Sequence, residues 1–208
     1  MKNPVYKLFL VLLIITLFLV GMHFFPKGIS RIISQKFNLN REANVPAWYS
    51  TVLLFSVSLC SFGIYRLSHD ISHSGRFWLF FGGVYCFLSM DEAASIHELS
   101  RNVLQVEWVF VYAPFAGAFF MACVCHLFRS ENRSLRNWIL GGLLVYAAGG
   151  LALESLYLTG QLSPWGKRVE IVVEEGLEMI GTIMVLTGCL RELNRLKARS
   201  EKLSCRVE

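Results

Sequence analysis

Three carboxylates and a histidine fall within eight residues in Asp91-Glu92-Ala93-Ala94-Ser95-Ile96-His97-Glu98. A second set, Glu170, Glu174, Glu175 and Glu178, lies in "VEIVVEEGLEMIG", and one more acid, Glu154, closes "GGLALE". Groups of these types move protons or ligate divalent cations. On a regular helix, at about 100° per residue, Asp91, Ser95 and Glu98 share one face. Glu170, Glu174 and Glu178 form a second stripe, and Glu175 pairs with Glu178 at i,i+3. Glu92 and His97 flank the first stripe on opposite sides. Either the helix unwinds near Ile96, or His97 faces a different neighbour from Asp91.

The elements carrying these residues are strongly apolar. Of 208 residues, 54% are hydrophobic and only 17% charged, well below the quarter usual in soluble domains. A helix crosses the hydrocarbon core, about 30 Å thick, in about twenty residues. Six such runs are predicted: Val5–Phe25, Ala47–Tyr65, Phe77–Ile96, Trp108–Phe128, Trp138–Tyr157 and Val169–Leu190. The first is too long for a signal peptide and lacks a small-residue cleavage site, so it reads as a retained helix. The sixth carries acids but is followed by "TIMVLTGCL" and the basic tail 191–208. The fold expected is therefore all-α, a single polytopic membrane bundle of six transmembrane helices.

With six spans both termini share a side. That side collects 13 of the 20 Lys and Arg residues, among them Lys2, Lys7, Arg129, Arg133, Arg136, Arg191 and Arg195, so both termini are expected in the cytoplasm. The net charge of +5 then reflects orientation and contact with anionic membrane lipids, and nothing resembles a nucleic-acid module. This topology brings Asp91, Glu92, Glu98, Glu154, Glu170, Glu174, Glu175 and Glu178 to one outer leaflet, eight of the 15 acids in the chain.

An intramembrane carboxylate costs about 3 kcal/mol to insert, and eight ionised together would repel. They must be protonated, hydrated or bound to cations. A divalent metal ion of unassigned identity is expected as cofactor, held by Asp91, Glu98, Glu154, Glu174 and Glu178, with His97 and Glu175 as catalytic groups. Glu92, Glu107 and Glu170, at the rim or off the stripes, are expected to be solvated. His23 lies at similar depth and could join the cluster. The paired Glu-x-x-His of di-iron carboxylate proteins is missing, so nothing points to iron. The six cysteines read as buried inert thiols, with Cys123 and Cys125 on different faces. In the loop 26–46, Ile29, Ile32, Ile33 and Phe37 suit a short interfacial helix.

With "VPAWYS" in the second span, "LSMDEAASIHE" in the third, "GGLALE" in the fifth and "VEEGLEMIG" in the sixth, the chain resembles a family of uncharacterised bacterial multi-pass membrane proteins. Its marks are DE-x4-HE in the third span and EE-x2-E in the sixth. The resemblance implies a common bundle in the bacterial inner membrane and supplies no activity.

The function expected is a metal-dependent membrane enzyme, a hydrolase or oxidoreductase, acting on a lipid or other hydrophobic small molecule from the periplasmic side. A cation-binding or proton-coupled transporter is the alternative, and a non-catalytic scaffold a third. A transporter needs a polar route to both sides, and the inner halves of the spans offer little beyond Ser56, Ser58, Ser61, Thr182 and Thr187.

Overall fold

A computed structural model describes residues 4–24, 30–68, 75–97, 99–100, 103, 105–153 and 163–204. All regular structure among them is helical: α1 (Pro4–His23), α2 (Arg31–Lys36), α3 (Val45–Ser68), α4 (Gly75–Ala94), α5 (Trp108–Arg129), α6 (Arg133–Ala147), a π-helical segment (Ala148–Leu153) and α7 (Pro164–Ser204). Three of these, α1, α3 and α5, are long and apolar enough to cross a membrane. α4 carries Asp91 and Glu92, α6 is short before its π turn, and α7 carries the acids of the second stripe.

The surface exposes many large apolar side chains. Ile14, Leu17 and Phe18 of α1, and Phe110, Phe115 and Met121 of α5, are more than half exposed. The interior is apolar too, with Val57, Ile64, Phe81, Ile139, Ile183 and Val185 fully buried. Buried hydroxyls are satisfied by backbone: Ser58 Oγ donates to Gly82 O (2.8 Å), Ser61 Oγ to Val57 O (2.7 Å) and Thr187 Oγ1 to Ile183 O (2.8 Å).

α7 is the central element, packed by α1, α3, α6 and the π segment, while α3 packs on α4. Glycines set the closest approach. A Cβ on Gly142 would lie 2.6 Å from Gly181 O, and one on Gly181 would lie 2.6 Å from both Gly142 O and Tyr146 N. Only hydrogen fits there, so α6 and α7 meet backbone to backbone. α5 joins α4 through rings: Phe77 stacks on His126 at 3.8 Å, and Phe119 lies 5.4 Å from Phe81.

Several expectations are revised. The third helix stops at Ala94 rather than Ile96, and α7 runs on through the basic tail to Ser204. The short helix expected in the loop does form, as α2, capped by Ser30 Oγ accepting from Ile33 N, and it leaves Ile32 74% exposed. Cys123 is buried, but Cys125, on the other face, is exposed, so the thiols are not uniformly interior. His23 Nδ1 accepts from Leu39 N (3.2 Å) and anchors the loop to α1.

Candidate functional site

The end of α4 builds the first part of the site. Ser95 adopts a left-handed conformation (φ 51°), and Ile96 N donates to Asp91 O at 3.3 Å. This six-to-one bond past a left-handed residue closes a helix as a Schellman turn does. It swings the chain back over the last turn. Asp91 Oδ1 then accepts from His97 N at 2.7 Å, and Oδ2 lies 3.3 Å from His97 Nδ1. The helix unwinds, and His97 meets Asp91, which a regular helix would forbid.

α5 supplies the opposite wall. Tyr112 Oη donates to Asp91 Oδ1 at 3.1 Å. The Trp108 ring packs edge-on to His97 (centroids 5.7 Å apart) and to Tyr112 (5.9 Å). Asp91 is buried, while the His97 side chain keeps 23% of its surface exposed. Its hydrogen bond to Asp91, more than any other influence, raises the His97 pKa above the ordinary value; burial opposes this. An imidazole held at Nδ1 by a carboxylate has a fixed tautomer and presents Nε2 to whatever it serves.

The π segment and α7 bring the second group. A Cβ on Gly149 would lie 2.7 Å from Glu174 O, and one on Gly150 would collide with Glu178 Oε1. The same Gly150 position is 3.9 Å from the Trp108 ring, so Trp108 lies near Gly150 as well as His97. Glu92 is close enough to Asp91, His97, Glu175 and Glu178 to interact electrostatically with all four, and exposed Glu42 reaches Glu92 and His97 from the loop.

Of the residues the sequence singled out, Asp91 and His97 are thus in contact. Glu174, Glu175 and Glu178 are grouped on α7, with Glu175 and Glu178 in range of Glu92. Glu98 and Glu154 lie outside the described residues. Two acids expected to be solvated are not: Glu170 is only 8% exposed, and Glu92 is half-buried at the centre of the charged group. Among the described residues no group of three or more His, Cys, Asp or Glu side chains is placed to hold a metal ion. Tyr112 and Trp108 were missed. Their signal was present, since Trp108 and Tyr112 are one turn apart at the start of the next long helix after α4.

Among the described residues the regular structure is all helical, three helices are long and apolar enough to span a bilayer, and a carboxylate–imidazole pair sits at the end of α4. Residues 6–193 match the family model described as Domain of unknown function (DUF8692), and the chain belongs to that family. It matches no curated protein and no solved structure.

Proposed function

We propose that the chain is an enzyme of the bacterial inner membrane, with six spans and both termini cytoplasmic, acting on a lipid or other hydrophobic substrate with His97 as general base. The observation carrying this is the doubly joined Asp91–His97 pair, half-open at one end of a bundle whose core is largely apolar. Ionisable groups at such a position are costly and mark function.

In this reading His97 Nε2 takes a proton from water as the water oxygen attacks the substrate, and later returns it to the leaving oxygen. Asp91 holds the imidazole in position and favours the imidazolium that forms. Tyr112 fixes Asp91 in turn. Glu92 connects His97 electrostatically with Glu175 and Glu178, which gives protons an acidic reservoir beside the base. Each of these proton steps uses groups of the chain itself; Glu98 and Glu154, two of the expected metal ligands, lie outside the described residues. The transporter alternative is less favoured because the inner half is plugged. Ile139, Ile183 and Val185 are fully buried there, and the nearby hydroxyls are spent on backbone carbonyls.

Liposomes made from a total bacterial lipid extract and carrying wild type or His97→Gln test this by mass spectrometry of the lipids. A new product expected with wild type should form on the order of 10²-fold more slowly with His97→Gln. Identical lipid profiles would remove the enzyme reading. A proton flux dependent on His97 would then favour the transporter.

A further inference from the structure

A second polar place lies at the other end of α7. A cavity of about 260 Å³ opens between the start of α6 and the last third of α7, lined by Asn132, Ser134, Trp138, Arg191, Glu192 and Arg195 among others. Glu178 and Glu192 are fourteen residues apart on one helix, so this cavity is about 20 Å along α7 from Glu178.

The cavity is built, not incidental. Glu192 is only 6% exposed and fully engaged. Its Oε2 accepts from Asn132 Nδ2 (2.9 Å) and Arg195 Nε (2.9 Å), and its Oε1 accepts from Arg195 Nη2 (2.6 Å). Asn132 also caps α6, its Oδ1 accepting from Leu135 N at 3.2 Å. Glu192 therefore acts as a buttress that fixes Arg195 and the start of α6, with no oxygen turned to a ligand. Arg191 Nη1 donates to Tyr6 Oη at 2.7 Å, and its guanidinium lies 5.2 Å over the Tyr6 ring. That bond uses one of the five donors a guanidinium carries. Two guanidiniums against one carboxylate leave the lining net positive, and the positive end of the α6 dipole opens beside them.

Its depth matters as much as its charge. Arg191 directly follows the apolar stretch of α7 that ends "VLTGCL". Trp138 packs against Tyr6 (6.4 Å) and Phe9 (5.4 Å), the aromatic signature of a membrane–water boundary. Arg129, Arg133 and Arg136 cluster at the same end. Basic pockets between helices at this level suit acidic head groups.

We propose that this cavity binds a phosphate group, presented by the headgroup of an anionic lipid, with Arg191 as its main ligand and Ser134 at its mouth. The argument needs the bundle to sit in a membrane, but it does not need His97 to be catalytic.

The test uses the full chain in neutral detergent, titrated separately with short-chain phosphatidylglycerol, phosphatidylcholine and inorganic phosphate. Native mass spectrometry and the thermal midpoint report binding. Wild type should retain phosphatidylglycerol in preference to phosphatidylcholine, and Arg191→Gln should weaken this at least tenfold. Ser134→Asp guards against a folding artefact. It puts an acid in the first turn of α6, where the dipole favours it, so the midpoint without lipid should hold or rise while phosphatidylglycerol binding is lost. Binding of inorganic phosphate but not phosphatidylglycerol, sensitive to both substitutions, would keep the phosphate site and assign it a soluble source. Phosphatidylglycerol binding no better than phosphatidylcholine, or unchanged in both variants, with no effect of phosphate, would overturn the proposal.

Discussion

Asp91 and His97 are joined twice, through the His97 backbone N–H at 2.7 Å and the His97 ring nitrogen at 3.3 Å. The same aspartate that ends the helix therefore aims the imidazole. Removing the carboxylate takes away both of its bonds to His97, while the backbone bond from Ile96 N to Asp91 O still closes the helix.

The pair gives a pH dependence of definite sign. The folded pKa of His97 is raised, chiefly by its bond to Asp91. Its contribution to stability is present in full below the ordinary histidine value, about 6.5, and is lost as pH rises through the higher folded value. The thermal midpoint of wild type relative to His97→Gln should be greatest below pH 6.5 and shrink above it. A difference that grows with pH would mean that Asp91 does not favour the imidazolium.

Ser95 holds a left-handed conformation that costs a side chain roughly 1–2 kcal/mol, whereas glycine adopts it freely. Ser95→Gly should stabilise the fold by roughly 0.5–1 kcal/mol, after the extra entropy glycine loses on folding. Ser95→Val should destabilise it and slow any reaction that needs His97. Denaturant melts of the three proteins decide the order.

At the α6–α7 crossing, Gly142→Ala or Gly181→Ala should cost roughly 1–3 kcal/mol, because the new methyl meets backbone that cannot move aside. Gly83→Ala is the control. Nothing lies within 4 Å of its Cβ position, so it should be neutral or gain up to roughly 1 kcal/mol. Equal midpoints for all three variants would mean that the helices cross elsewhere.

Glu92, Glu175 and Glu178 lie within electrostatic range of one another in a poorly hydrated place, where ionisable carboxyls are costly. Glu178→Gln keeps the shape and removes one of these carboxyls, so it should raise the thermal midpoint at neutral pH, and a chelator should leave wild type unchanged. If the substitution and the chelator both lower the midpoint, a cation holds these acids, and the ligand role expected from the sequence is restored.

Topology is open to labelling in a cysteine-free background. Cysteines at Ser200 and exposed Glu131 should react only from the cytoplasmic side. Labelling of both from the periplasm would invert the bundle and move His97 to the inner face.

Helicity and the apolar faces were legible because they rest on composition and periodicity, which the sequence displays directly. The meeting of Asp91 with His97 was legible only as a fork, since spacing shows what a regular helix forbids and not where it breaks. Nothing in "AASIH" announces a break, because serine rather than glycine takes the left-handed position. Glu92 was misjudged because rim depth was inferred from distance along the chain, whereas loop residue Glu42 and helix α7 approach it from outside its own helix. Tyr112 was missed because a lone tyrosine in an apolar span looks like packing until a neighbouring helix supplies its acceptor.

α7 is one helix of 41 residues, about 60 Å long, twice the hydrocarbon thickness. At about 100° per residue, the fourteen steps from Glu178 to Glu192 close nearly four full turns, leaving the two residues some 40° apart in azimuth. The helix is thus a shaft with a fitting about a third of the way in from each end, in almost the same phase. Any torsion applied at the arginine end must reach the glutamate end unless the glycine bearing at Gly142 and Gly181 absorbs it, and backbones touching at 2.6 Å from a would-be methyl leave little play for that.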